Sequence, residues 1–364
     1  SPEVDGRRDD EGGAAADWTA EFVDIQGTPP LPAPRFATRA KMLWDEEFLY
    51  VGAWMDEPHV WGTLTAHDSV IFHDNDFEVF LDPDGDTHQY YEIEINALNT
   101  EWDLRLVKPY IDGGPALDEW EIPGLQKAVW VDGTLNDPSD VDRGWSVELA
   151  VPWSVLAEFA NRPSPPRDGD QWRINFSRVQ WQHEVIDGAY SKLPDTPEDN
   201  WVWSPQGRIN MHLPERWGYL QFSTAAPGTA AFRPDPQLPA RRELIRVYEA
   251  QKAFHAELGR WARTLGELGL ESEAALSPQP DGWRATIEGV SIRQDRRIWS
   301  FSSKEPDTID GSSSTNAPAW WPLEVDAALG RCDAGRRAEW ITALSTVPAA
   351  QRPGASFLLA HMPE

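Results

Sequence analysis

Three short segments carry most of the side chains able to do polar chemistry. In Asp76–Asp82, Phe77, Val79 and Leu81 point one way, and Asp76, Glu78 and Phe80 the other. Tyr90–Asn96 repeats the pattern: Tyr91, Ile93 and Ile95 oppose Tyr90, Glu92, Glu94 and Asn96. In Ile174–Gln182, Phe176, Arg178 and Gln180 share one face, and Ser177, Val179 and Trp181 the other. If these strands are neighbours, one face gathers acidic groups, Arg178, Gln180 and aromatic rings. Carboxylates and guanidinium groups make paired hydrogen bonds to adjacent hydroxyls, and indole rings stack on C–H faces. Trp61, Trp102, Trp181, Trp201 and Trp203 lie at or beside expected loops, while Trp145, Trp153 and Trp172 sit in hydrophobic patterns and are assigned to the core. The plainer alternative is a solvated sheet face with Arg178 in a surface ion pair.

Other chemistries can be weighed in the same way. Glu78 and Glu92 are an alternative catalytic pair, because glycoside cleavage uses two carboxyls about 5–5.5 Å or about 6.5–9.5 Å apart and adjacent strands allow either. Asp82-Pro83-Asp84-Gly85-Asp86 sets three carboxylates around a glycine turn, making Asp82, Asp84 and Asp86 candidate calcium ligands. The simpler reading is an Asp-Gly turn, and no EF-hand glutamate follows at the twelfth position. No His-x-x-x-His or His-Glu-x-x-His spacing occurs, which excludes the zinc-protease pattern. Nothing singles out Met55, Met211 or His212 as haem ligands, so neither haem nor nucleotide is expected. Cys332 is the single cysteine, which excludes an intramolecular disulfide and a cysteine-based zinc site.

The elements that must position these residues are mainly strands. Expected strands are Arg39–Trp44, Phe48–Met55, Asp76–Asp82, Tyr90–Asn96, Trp102–Lys108, Ala128–Gly133, Gly144–Val151, Gln171–Trp181 and Gly218–Phe222, separated by Asp/Gly/Pro turns. Pro152 to Ala160 reads as one short helix. This pattern predicts an antiparallel β-sandwich over residues 1–224. Residues 225–240 have a Pro/Ala linker composition. Residues 241–305 form a small α+β module: a helix from Arg241 to Leu258, then a hairpin of Trp283–Glu288 with Arg297–Phe301. Residues 306–364 read as a loop and a helical tail. Against 32 basic residues stand 60 acidic ones, a net charge of -28, which disfavours nucleic acid and anionic membranes as partners. No apolar run is long enough to span a bilayer, so membrane insertion is not expected. Twenty tryptophans in 364 residues point to flat ligands or large cores.

Ordered motifs across the first two thirds resemble a known family. They are Asp74-Asn75-Asp76-Phe77-Glu78-Val79-Phe80-Leu81-Asp82-Pro83-Asp84-Gly85-Asp86, Tyr91-Glu92-Ile93-Glu94-Ile95-Asn96, Gly144-Trp145-Ser146-Val147-Glu148-Leu149-Ala150-Val151-Pro152-Trp153 and Trp172-Arg173-Ile174-Asn175-Phe176-Ser177-Arg178. Trp203-Ser204-Pro205-Gln206-Gly207 and Pro214-Glu215-Arg216-Trp217-Gly218-Tyr219 close the series. Together they resemble family 9 carbohydrate-binding modules and their DOMON-like relatives over residues 4–223. The resemblance implies a β-sandwich that binds a sugar or polysaccharide between two Trp rings and often carries structural calcium. By motif, Glu78, Glu92 and Arg178 match hydrogen-bonding positions, and Trp61 with Trp201 or Trp203 are the candidate rings. An extracytoplasmic location is expected, with the signal peptide not present in this chain.

Two weaker resemblances follow. Residues 241–301 are similar to type II pseudopilin-like domains, and 337–364 resemble the lead-in of transglutaminase-like domains. Three functions are therefore weighed: non-catalytic carbohydrate binding, with Trp61, Asp76, Glu78, Glu92, Asn96, Trp102, Arg178, Gln180, Trp201 and Trp203 as ligand-binding candidates; a glycosidic-bond hydrolase using Glu78 and Glu92; and an interaction scaffold or accessory region of a longer transglutaminase-like protein, meeting a partner domain or protein through residues 241–364.

Overall fold

The computed structural model describes residues 2–7, 16–27, 32–226 and 228–300. The expected loop and tail over 306–364, with Cys332 and the segment 337–364, lie outside the described residues.

Two antiparallel sheets face each other. In chain order the strands are β1 (Val23–Asp24), β2 (Thr38–Trp44), β3 (Phe48–Asp56), β4 (Asp76–Asp82), β5 (Tyr90–Asn96), β6 (Glu101–Leu106), β7 (Ala116–Leu117), β8 (Gln126–Asp132), β9 (Gly144–Pro152), β10 (Gln171–Gln180), β11 (His183–Ile186), β12 (Ala189–Lys192), β13 (Asp199–Val202) and β14 (Gly218–Gln221). The smaller sheet runs β2-β3-β9-β8. The larger runs β1-β13-β10-β4-β5-β6-β7, with β14 pairing the start of β10. Alternation decides what lies between them. Leu49, Val51, Ala53 and Met55 of β3 and Val147, Leu149 and Val151 of β9 meet Phe77, Val79 and Leu81 of β4 and Tyr91, Ile93 and Ile95 of β5 in one apolar cluster. The opposite face of the large sheet is left for Asp76, Glu78, Glu92 and Glu94.

The short helix α1 (Trp153–Leu156) stops four residues before the expected end. After the sandwich come α2 (Leu238–Leu258), β15 (Ala275–Gln279), β16 (Gly282–Ile287), β17 (Val290–Arg293) and β18 (Ile298–Ser300). Helix α2 starts inside the expected linker, with Pro239 in its first turn, and ends at Gly259, whose φ of 67° suits a residue lacking a Cβ. The expected hairpin needs correction: Trp283–Ile287 and Ile298–Ser300 do not pair with each other but flank β17 in a four-stranded meander. Glu288 and Gly289, both at positive φ, form a tight turn that returns the chain at once and inserts the extra strand. Leu244, Val247 and Tyr248 of α2 pack on Trp283, Val290 and Ile292 to give this module its own core.

The module is fastened to the sandwich by polar contacts. Ile298 N–H donates to Asp86 O (3.1 Å), Thr87 Oγ1 to Arg296 O (3.0 Å) and Arg297 Nε to Asp86 Oδ2 (2.7 Å). Arg296, 1% exposed, bridges Asp112 and Glu215 of the sandwich.

Candidate ligand-binding site

Strand register builds an acidic cleft on the open face of the large sheet. Glu78 lies opposite Glu94, and Phe80 opposite Glu92. On the other side of β4, Ser177 lies opposite Glu78. The cleft encloses about 260 Å³, with Glu78, Glu92, Glu94 and Phe80 on its floor. Phe72, Trp102 and Tyr110 form one side; Ile209, Asn210, Met211 and His212 form the other, with Glu198 and Asn200 completing the rim. The Trp181 indole donates to Phe72 O (2.8 Å), and Phe72 N–H donates to Glu94 Oε2 (2.9 Å), so the aromatic wall is tied to the floor. The Tyr110 and His212 rings meet edge to face at 4.5 Å.

The floor is unusual in its electrostatics. Glu78 and Glu92 are each 4% exposed and Glu94 1%. Among the described residues no group makes a well-formed hydrogen bond to Glu78 Oε2, Glu92 Oε2 or Asp76 Oδ2, although the Ser177 hydroxyl and Glu94 stand close enough to Glu78 and Glu92 to ease their ionisation slightly. Burial lifts the Glu78 carboxyl to about 7. Burial, and then the charge of Glu78, hold Glu92, Glu94 and Asp76 well above the usual carboxylate range. His212 sits at 4.0 Å from Glu92 Oε2, yet burial lowers it to about 3 and leaves it neutral. Unpaired acceptors at the bottom of a ring-lined cleft are groups awaiting a donor.

The placement of Arg178 corrects the sequence expectation. Because Ser177 shares the face of Glu78, Arg178 and Gln180 point into the sandwich. Arg178 is fully buried and donates to Thr38 Oγ1 (3.0 Å), Asp56 O (3.0 Å), Glu57 Oε2 (3.0 Å) and Gln180 Oε1 (2.7 Å). It is neither a surface ion pair nor part of the cleft. The expected Trp clamp is also absent from this site. Trp61 is 2% exposed beside Tyr190, and Trp201 is 3% exposed between Phe36 and Arg178. Trp203 packs on Phe176 and over Gly218, where an added Cβ would stand 2.3 Å from the indole. Burial of large flat rings in the core wins over their exposure at strand ends. Asn96 holds the β5–β6 turn instead of facing ligand: its Oδ1 accepts from Leu98 and Thr100 N–H, and its Nδ2 donates to Leu64 O and Asp74 Oδ2. Asp76 shares the face of Glu78 but does not line the cleft; it accepts from Val179 N–H (3.1 Å). Of the expected ligand-binding residues, the cleft brings together Glu78, Glu92 and Trp102.

Residues 4–201 match the family described as carbohydrate family 9 binding domain-like. The chain belongs to this family. Among solved structures, a family 9 carbohydrate-binding module from Caldicellulosiruptor kristjanssonii in complex with cellotriose is 16% identical, the match covering 65% of this chain and 96% of that one with a TM-score of 0.41. The same organism's module in complex with glucose is also 16% identical, covering 64% and 96%, with a TM-score of 0.40. No curated protein matches the chain.

The family 9-like match supplies the cleft floor and the Phe72–Trp102–Tyr110 side, but the 209–212 wall lies beyond it. The C-terminal module braces both sides. Glu249 of α2 accepts from Arg208 and Arg216, which flank residues 209–212, and Arg296 pairs with Glu215. Asp112, two residues after Tyr110, accepts from Tyr248, Lys252 and Arg296. Sequence reading missed these braces, as it missed Phe72, Tyr110 and His212, because each contact joins residues far apart in the chain.

The Asp82, Asp84 and Asp86 carboxylates offer ligand atoms within 4.8 Å of one another, as hard oxygen donors for calcium must. Each is also engaged by protein: Asp82 accepts from Gly85 and Thr87 N–H, Asp84 from Asp86 N–H and Asn161, and Asp86 from His88 N–H and Arg297. Among the described residues no helix is long and apolar enough to cross a membrane.

Proposed function

We propose that this chain is a non-catalytic carbohydrate-binding protein and that its ligand sits in the acidic cleft. One observation carries the reading: unpartnered, buried carboxyl oxygens of Glu78 and Glu92 lie at the bottom of a cleft walled by Trp102, Phe72 and Tyr110. A pyranose offers hydroxyl donors to such oxygens and a C–H face to such rings. Family membership supports the same reading. Titration calorimetry of the whole chain against a panel that includes glucose and cellotriose tests it. Saturable binding that weakens in Trp102→Ala is expected; a folded protein that binds no saccharide contradicts it.

The enzyme alternative has the right residue types but the wrong electrostatics. Glycosidases hold one carboxyl protonated and the other ionised, through environments that push the two apart. Here burial raises both Glu78 and Glu92, and among the described residues no cationic side chain lines the cleft to keep one ionised. Release of product during the incubation would reverse this choice.

Two further parts belong to the proposal. Calcium at Asp82, Asp84 and Asp86 would use lone pairs not taken by the backbone and compete with Arg297 for Asp86. A melting temperature that rises with calcium and no longer does so in Asp84→Asn supports it; equal melting with calcium and chelator refutes it. An extracytoplasmic location fits a protein that meets polysaccharide, and fractionation of the source cells tests it.

A further inference from the structure

Every charged side chain lining the cleft is a glutamate: Glu78, Glu92, Glu94 and Glu198. Among the described residues no lysine or arginine lines it. Other titratable groups at the floor are Asp76, with an oxygen within 4.8 Å of Glu78 and Glu94, Tyr110, raised by burial and by Glu92, and His212, whose Nε2 stands 4.0 Å from Glu92 Oε2. His212 is neutral, because burial lowers it to about 3, so it brings no positive charge. Among the described residues Glu78, Glu92 and Glu94 make no salt bridge to lysine or arginine; compare the large sheet's inner face, where Arg178 answers Glu57 at 3.0 Å. Buried carboxyls without a cation are costly to ionise, and removing that cost requires a positive group from elsewhere. A neutral sugar supplies none. Trp102, Phe72 and Tyr110 offer ring faces and edges at the same place, and ring faces attract organic cations.

Building on the carbohydrate reading, we propose that the cleft selects a sugar bearing a free ammonium group, a 2-amino-2-deoxyhexose unit, with its nitrogen against Glu78, Glu92 and Glu94 and its ring against Trp102. The ammonium donates to the orphaned Glu78 Oε2 and Glu92 Oε2. Burial makes each carboxyl resist ionisation while the cleft is empty, so the arriving cation favours release of a proton. A divalent cation is the competing occupant, since Asp76, Glu78 and Glu94 have oxygens within 4.8 Å. The organic cation is favoured because Glu92, equally unpartnered, lies outside that trio, and the aromatic walls suit a cation attached to a ring.

The test is calorimetry of the whole chain with glucosamine hydrochloride, glucose and N-acetylglucosamine at one pH near 6, where the free amine is charged and Glu78 is below its raised value of about 7, each with chelator. Glucosamine is expected to bind at least about tenfold tighter than either neutral sugar, a preference that Glu92→Gln reduces toward parity. A second readout needs no variant: in two buffers of different ionisation enthalpy, glucosamine binding releases protons and glucose binding does not. Neutral sugars binding as tightly as glucosamine overturn this proposal and leave the carbohydrate reading standing. Binding of no saccharide overturns both. Calcium alone binding in the cleft, with glucosamine unable to bind or compete, also overturns it.

Discussion

Replacing Glu78 with glutamine isolates the energetic consequence of burying its carboxyl. Glu78 is raised from its ordinary 4.5 to about 7 by burial. A carboxyl whose folded value exceeds its unfolded value contributes stability that is complete below about 4.5 and is lost as pH rises through about 7. At about 1.4 kcal/mol per pH unit, the wild-type protein loses about 3 kcal/mol from this group between pH 4 and pH 8. Glutamine keeps the shape of a protonated carboxyl but does not titrate. The stability of Glu78→Gln relative to wild type is therefore expected to climb by up to about 3 kcal/mol over that range, with most of the climb between pH 4.5 and 7. Urea denaturation at half-unit pH steps measures it, provided the m-value is unchanged. A difference that stays flat with pH, or that falls as pH rises, refutes the claim that the cleft holds this carboxyl neutral.

The remaining expectations concern the groups around the cleft. Arg178→Ala strands Glu57 in the core and is expected to cost about 3–5 kcal/mol of stability by denaturation, with sugar affinity of the folded protein unchanged; an affinity loss without destabilisation would put Arg178 back at the ligand. Trp102→Ala removes a ring face from the cleft and is expected to weaken sugar binding about tenfold, at about 1.4 kcal/mol, with melting shifted little. Arg296→Ala takes from Glu215 its Arg296 ion pair and from Asp112 one of its three donors, loosening the braces behind Tyr110 and residues 209–212; binding is expected to weaken several-fold, with partial recovery in Arg296→Lys. Equal binding by all three Arg296 forms shows that the C-terminal module does not shape the cleft.

The strands that form the floor were the easiest elements to read. Asp76–Asp82 and Tyr90–Asn96 alternate sharply, and the observed strands have the same bounds. What alternation does not contain is how neighbouring strands align. Within β10, however, alternation did carry the direction of Arg178: Trp172, Ile174 and Phe176 share its face and enter the core, while Ser177 faces with Glu78. The hairpin β11–β12 did carry a signal, Asp187-Gly188, both at positive φ, between segments too polar to stand out as strands. Tryptophan count was a poor guide to ligand contact: Trp61, Trp145, Trp153, Trp172 and Trp217 are all core, and of the five placed near loops only Trp102 lines the cleft. The braces from Glu249 and Arg296 are separated from their partners by tens of residues or more, beyond any periodicity.

The most direct test of the central claim is a crystal structure of the whole chain soaked with the saccharide that binds best in calorimetry. The sugar is expected in the cleft, with its ring against Trp102 and polar atoms on Glu78 and Glu92. A sugar seated elsewhere, for instance against the smaller sheet, with the cleft empty at saturating concentration, would contradict the account.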